Sequence, residues 1–107
     1  MQREDLKITP DGIRLLAYIN CDIDSHTSGR LRERVDREIF IMKPRCLVLD
    51  FSKVGFMDSS GLALILGRVR LMESLGGSVS VVGLSEHNMK LLRLSGIERI
   101  KSLSLKN

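Results

Sequence analysis

The chain has no tryptophan, one tyrosine and three phenylalanines in 107 residues. A single-strand nucleic-acid surface stacks bases on aromatics set among cations, so that class of partner lacks its main device here. The core must instead be built from Leu, Ile, Val and Met. The only cysteines, Cys21 and Cys46, fall in apolar runs without CxxC or His-rich spacing. They read as buried reduced thiols, which argues against a disulfide or a metal site. No apolar run exceeds five residues, Leu62 to Leu66 among them. That is too short for a signal-peptide core or a membrane span. With the charged start Met1 to Asp5, the expectation is a cytoplasmic protein with no membrane partner. Linkers, repeats and low-complexity segments are absent, so residues 1–107 are expected to form one domain.

Charge is present in both signs, 17 basic against 13 acidic residues for a formal net charge of +4. It is unevenly spread, with ten of each sign in residues 1–67 but seven basic against three acidic in 68–107. Without interleaved aromatics, a solvated basic face explains the tilt better than a nucleic-acid stripe.

Leu6 to Thr9 reads as a strand closed by the turn Pro10-Asp11-Gly12, with Ile13 to Asn20 as its antiparallel partner. From Gly29, Leu31, Val35, Ile39 and Met42 recur at helical spacing until Pro44 stops the helix. Cys46 to Phe51 is a short, mostly apolar run without alternation, of the kind found in strands covered on both faces. In the following helix Leu62, Ile65, Leu66, Val69 and Met72 form a stripe that must face the sheet. Leu64 and Leu71 lie on a second stripe; a neighbour is expected to cover Leu71, and Leu64 is expected to stay open for a partner. Gly76-Gly77 ends that helix. Ser78 to Val82 is a strand, and Ser85 caps a third helix with Met89, Leu92 and Leu94 inward. Ile97 to Leu105 holds a last short strand. The order predicts an α/β fold: a mixed sheet of about five strands, the later ones parallel, packed against three to four α-helices.

The chain is organised around the strand-turn-helix from Cys46 to Gly67, whose helix opens with Asp58, Ser59, Ser60 and Gly61. Any of the first three can cap a helix. Side-chain oxygens beside free backbone N–H groups can also handle an anion or a phosphoryl transfer. On these residues alone, a well-capped helix is sufficient explanation. A hydrolase nucleophile elbow needs Gly-x-Ser-x-Gly, and Met57 stands where the first glycine should be. His26 and His87 follow predicted helix starts and read as surface or capping residues, not as bases. No nucleotidase-type phosphate loop occurs. A phosphoaspartate site at Asp50 or Asp58 lacks the lysine expected after Ser78 to Val82.

Phe56-Met-Asp-Ser-Ser-Gly-Leu62, continued by Ile65-Leu-Gly-Arg68, resembles the signature of the STAS domain, and more narrowly that of bacterial anti-sigma factor antagonists. Asp22-Ile-Asp24 with His26-Thr27, Gly76-Gly77 and Leu94-Ser-Gly-Ile97 extend the resemblance from about Leu6 to Leu105. It departs at Cys21, where the family usually has glycine, and at the C-terminus, which leaves little for a final helix. The resemblance implies a non-enzymatic switch in which the unphosphorylated protein binds an anti-sigma factor that is itself a serine kinase. Phosphorylation would fall on Ser59 and switch binding off, and a serine phosphatase would reset it. No cofactor is expected on this chain, since ATP is used by the kinase. The partner-binding residues implied are Asp22, Asp24, Ser25, His26, Thr27, Met57, Asp58, Ser59, Ser60, Gly61, Leu64 and Arg68, on a monomer that binds no nucleic acid. Family members that are scaffold subunits of stress-sensing complexes leave a second reading open, as does a small nucleotide-binding protein using the same helix start.

Overall fold

A computed structural model describes residues 5–107. Strand β1 (Leu6–Asp11) pairs antiparallel with β2 (Arg14–Ile19). Helix α1 (Ser28–Met42), β3 (Cys46–Asp50), α2 (Ser59–Ser74), β4 (Ser78–Val82), α3 (Glu86–Ser95) and β5 (Leu103–Leu105) follow. The sheet order is β1-β2-β3-β4-β5, and β2 to β5 run parallel. This is the expected mixed sheet, with three helices.

Strand order equals chain order, so each crossover steps the same way across the sheet. Right-handed crossovers that never reverse place α1, α2 and α3 on one face. The other face is open, which corrects the expectation for Cys46 to Phe51. Leu47, Leu49 and Phe51 are buried under the helices, whereas Cys46, Val48 and Asp50 are only half-buried. An apolar run could not reveal this, because Cys46 and Val48 on the open side are themselves apolar. Both cysteines are free and half-buried.

The hairpin also differs in detail. Pro10 lies within β1 opposite Leu15, and the turn is made by Gly12, at φ 61°, and Ile13. Proline is tolerated there because, among the described residues, β1 is an edge strand with no ladder on its outer side. Helix α1 ends at Met42, with Lys43 in the left-handed region and Pro44 behind it. Gly96, at φ 82°, ends α3. Ile97–Arg99 then forms a 3-10 turn, so the final strand is confined to Leu103–Leu105.

Two side chains lie opposite to expectation. Leu94 was expected inward but is 80% exposed at the end of α3. Leu64, expected on an open stripe, is only 4% exposed. The cause is α1, which packs against α2 and covers Leu64 on the stripe turned away from the sheet. Ile65, Val69 and Met72 are buried as the main stripe requires, and Leu71 is partly buried.

Candidate functional site

The site forms where two loops meet beyond the ends of β2 and β3. Ile23 and Met57 make an isolated parallel bridge: the Ile23 N–H donates to the Phe56 carbonyl at 3.0 Å and the Asp58 N–H to the Ile23 carbonyl at 3.2 Å. Both bridging side chains are buried. Asp22 adds a third tie, its Oδ1 accepting from the Phe56 N–H at 3.0 Å. These bonds bring the Asp22–Thr27 turn beside the Asp58–Gly61 helix start, the juxtaposition that the sequence could only imply.

Each loop is closed by its own side chains. Asp24 Oδ1 accepts from the His26 N–H at 2.8 Å and the Thr27 N–H at 3.1 Å. Thr27 Oγ1 accepts from the Asp24 N–H at 3.1 Å and donates to the Asp22 carbonyl at 2.9 Å. The His26 N–H, followed by that of Thr27, holds the Asp24 carboxyl below its usual range by favouring the ionised form. Ser25 and His26 are exposed at the turn's tip. Across the bridge, Asp58 is the N-cap of α2 and accepts from the Ser60 N–H at 2.7 Å. The capping role read for this cluster therefore belongs to Asp58.

Ser59 is the first residue of α2 and is exposed. Its hydroxyl makes no hydrogen bond among the described residues; nor does that of Ser60, which is half-buried and gives only its backbone N–H to the Asp58 cap. Gly61 is buried against Met57; a β-carbon there would stand 2.2 Å from Met57 Cγ and 2.4 Å from its Sδ. The glycine is thus required by the close approach of the bridging methionine.

Leu64 and Arg68 stand apart from the exposed members of the site. They are the buried part of a groove between α1 and α2, whose open parts include Gly29, Arg32, Ala63 and Gly67. Arg68 is only 5% exposed, and its Nε lies 2.7 Å from Asp36 Oδ1 of α1 without hydrogen-bond alignment. Arg68 also donates to the Leu64 carbonyl at 3.3 Å. Burial raises the Asp36 carboxyl and lowers the Arg68 guanidinium, each change partly offset by the other's charge. Arg68 therefore joins α1 to α2, and charge reversal there or Leu64→Arg would damage this packing as well as any docking surface.

Asn88 was not singled out in the sequence. It is fully buried in the first turn of α3 and reaches under the site, its Nδ2 donating to the carbonyls of Val54 at 3.5 Å and Gly55 at 3.2 Å. A polar residue among Met89 and Leu92 was the available signal, but its partners lie 33 and 34 residues away.

Comparison with known proteins places these features in a family. The model of the STAS domain matches residues 6–106. The anti-sigma F factor antagonist of Paenibacillus polymyxa is 35% identical over 86 residues, 80% of this chain and 74% of that protein. In fold, the chain is similar to the anti-sigma factor antagonist SpoIIAA in its unphosphorylated form, with a TM-score of 0.80 at 22% identity, covering 95% of this chain and 88% of that one. The phosphorylated form of this Bacillus cell fate determinant gives a TM-score of 0.73 at 22% identity, over 95% and 91% of the two chains. An anti-sigma factor antagonist from Mycobacterium paratuberculosis gives 0.80 at 20% identity, over 92% and 83%.

Proposed function

This chain belongs to the STAS-domain family, and from that premise we propose that it is an anti-sigma factor antagonist switched by phosphorylation of Ser59. Unphosphorylated, it binds an anti-sigma factor that is a serine kinase and so frees a sigma factor; a serine phosphatase reverses the modification. It works in the cytoplasm as a binding protein, not an enzyme, and holds no cofactor, ATP being bound by the kinase. The observation that carries this reading is the exposed, unbonded Ser59 hydroxyl at the start of α2, next to the Asp58 cap, where the neighbouring Ser60 is half-buried. The relative's name and the phosphorylated form of SpoIIAA support it.

Physics makes this position a switch that needs no change of shape. A phosphate adds about −1.5 to −2 charge at neutral pH. The helix dipole favours that charge at an N-terminus, so the fold tolerates it. A partner surface shaped to cover Ser59 does not, because it would bury a hydrated dianion beside Asp58 and the Asp22–Asp24 turn. A penalty of about 3–4 kcal/mol weakens binding more than a hundredfold.

Incubation with the cognate anti-sigma kinase and ATP should place phosphate on Ser59. Ser59→Ala should bind the kinase but resist phosphorylation, and Ser59→Asp should lose binding while unfolding as the wild type does. Phosphate found only on Ser60, or on no residue, would falsify the assignment.

A further inference from the structure

Side chains on either side of the Ile23–Met57 bridge alternate in direction. Ile23 and Met57 point into the core, while Asp22 and Phe56, one residue earlier on each segment, point outward. Phe56 is 58% exposed, in a chain with only three phenylalanines and one tyrosine. Its position is fixed. The Phe56 N–H donates to Asp22 Oδ1 and its carbonyl accepts from the Ile23 N–H, each at 3.0 Å. The two preceding carbonyls, Val54 and Gly55, are held by the buried Asn88. Three successive peptide units are therefore tied down, and the ring cannot turn into the core without breaking them.

An apolar ring held in water beside a ligand site is pre-organised for contact, since little freedom remains to be lost on binding. Its surroundings narrow what can cover it. Asp22, Asp24 and Asp58 ring the same surface, so an anionic membrane is repelled, and a second copy of this chain would set like charges together. A protein with an apolar pocket rimmed by cations fits. We propose that Phe56 anchors this chain in such a pocket on its anti-sigma kinase, next to the kinase's contact with Ser59. This rests on the docking reading above and adds the residue that supplies affinity.

The test measures calorimetric affinity for the cognate anti-sigma kinase, using wild type, Phe56→Ala, Leu94→Ala and Ser59→Asp. Leu94 is more exposed than Phe56, at 80%, but lies at the far end of α3 from Asn88, and so controls for generic stickiness. Phe56→Ala should weaken binding about tenfold or more, about 1.4 kcal/mol, with an unchanged thermal midpoint. Leu94→Ala should bind within about twofold of wild type. In phosphorylation assays Phe56→Ala should raise KM and leave kcat unchanged. If Phe56→Ala binds like wild type while Ser59→Asp does not, the anchor is refuted and the docking reading stands. If wild type fails to bind the kinase, both fall. Should Phe56→Ala lower the thermal midpoint, a photoreactive benzoylphenylalanine in place of Phe56 reports contact directly. A crosslink to the kinase from position 56 and none from position 94 is expected; no crosslink from 56 overturns the proposal.

Discussion

The Met57 side chain occupies the space where a β-carbon at Gly61 would lie, so the bridging residue and the first turn of α2 interlock. Gly61→Ala must push Met57 from its place under Ile23, at a cost of about 1–3 kcal/mol. Met57→Ala alone should also destabilise, by about 2–5 kcal/mol. The double variant should cost less than the sum, because the cavity left by one change admits the methyl of the other. Urea unfolding of the four proteins checks this, and strict additivity would show that the two residues do not interlock.

A second expectation concerns the Asp36–Arg68 pair. Asp36→Ala leaves a guanidinium that is only 5% exposed without its counter-charge. The loss should be about 2–3 kcal/mol, below the range for fully buried pairs because the Asp36 side chain is 24% exposed. Arg68→Met leaves a carboxylate that can still reach water, and should cost about 1–2 kcal/mol. Combining both should recover stability toward wild type. Chemical denaturation of the set decides it; equal costs for the two single changes would contradict the asymmetry.

The Asp24 turn carries a pH signature. The His26 and Thr27 N–H groups lower the carboxyl's pKa in the folded chain relative to the unfolded one. The folded state therefore binds fewer protons, and stability from this group is complete above the unfolded value of about 4. It is lost as pH falls through the lower folded value. Asp24→Asn keeps an acceptor but removes the charge. Its deficit against wild type should be present at neutral pH and close below about pH 4, and a gap constant down to pH 2.5 would rule the charge out as its source.

Asn88 gives a fourth. Asn88→Ala strips the Val54 and Gly55 carbonyls of their donor and should cost about 1–3 kcal/mol. Asn88→Asp should cost more, since it sets an acceptor, and above its pKa a charge, against two carbonyl oxygens. Hydrogen exchange should quicken at the Phe56 and Ile23 amides in both variants. Unchanged exchange there would mean that the loop is held without Asn88.

The parts legible in the sequence were those decided locally. Asp58 and Ser85 cap helices as residues of their type do, and Gly96 and Pro44 mark helix ends through backbone restriction alone. The hairpin and the parallel order followed from chain connectivity. What could not be read depends on meetings between distant segments. Leu64 and Arg68 look like an outer stripe until α1 packs over them. Val48 is apolar whether or not a second layer covers it, and only the unreversed strand order leaves its face open. Of the candidate site, a helix cap among Asp58, Ser59 and Ser60 was visible, and the family resemblance singled out Ser59. The clamp from Asn88 and the outward Phe56 were not visible, because the first rests on contacts 33 and 34 residues away and the second on the Ile23–Met57 bridge, also across 34 residues of chain.

That bridge has a consequence for what an enzyme acting on Ser59 can recognise. The serine is local, but the turn beside it arrives only when Ile23 finds Met57. A peptide copying the segment around Ser59 would present the residue without Asp22, Asp24 or the fixed backbone of Phe56. A kinase that reads all of these is therefore a reader of the folded state. On the proposed function, chains still being synthesised, or unfolded by stress, would contain the serine yet pass unmodified, so the phosphorylated pool would count only folded molecules with their binding switched off.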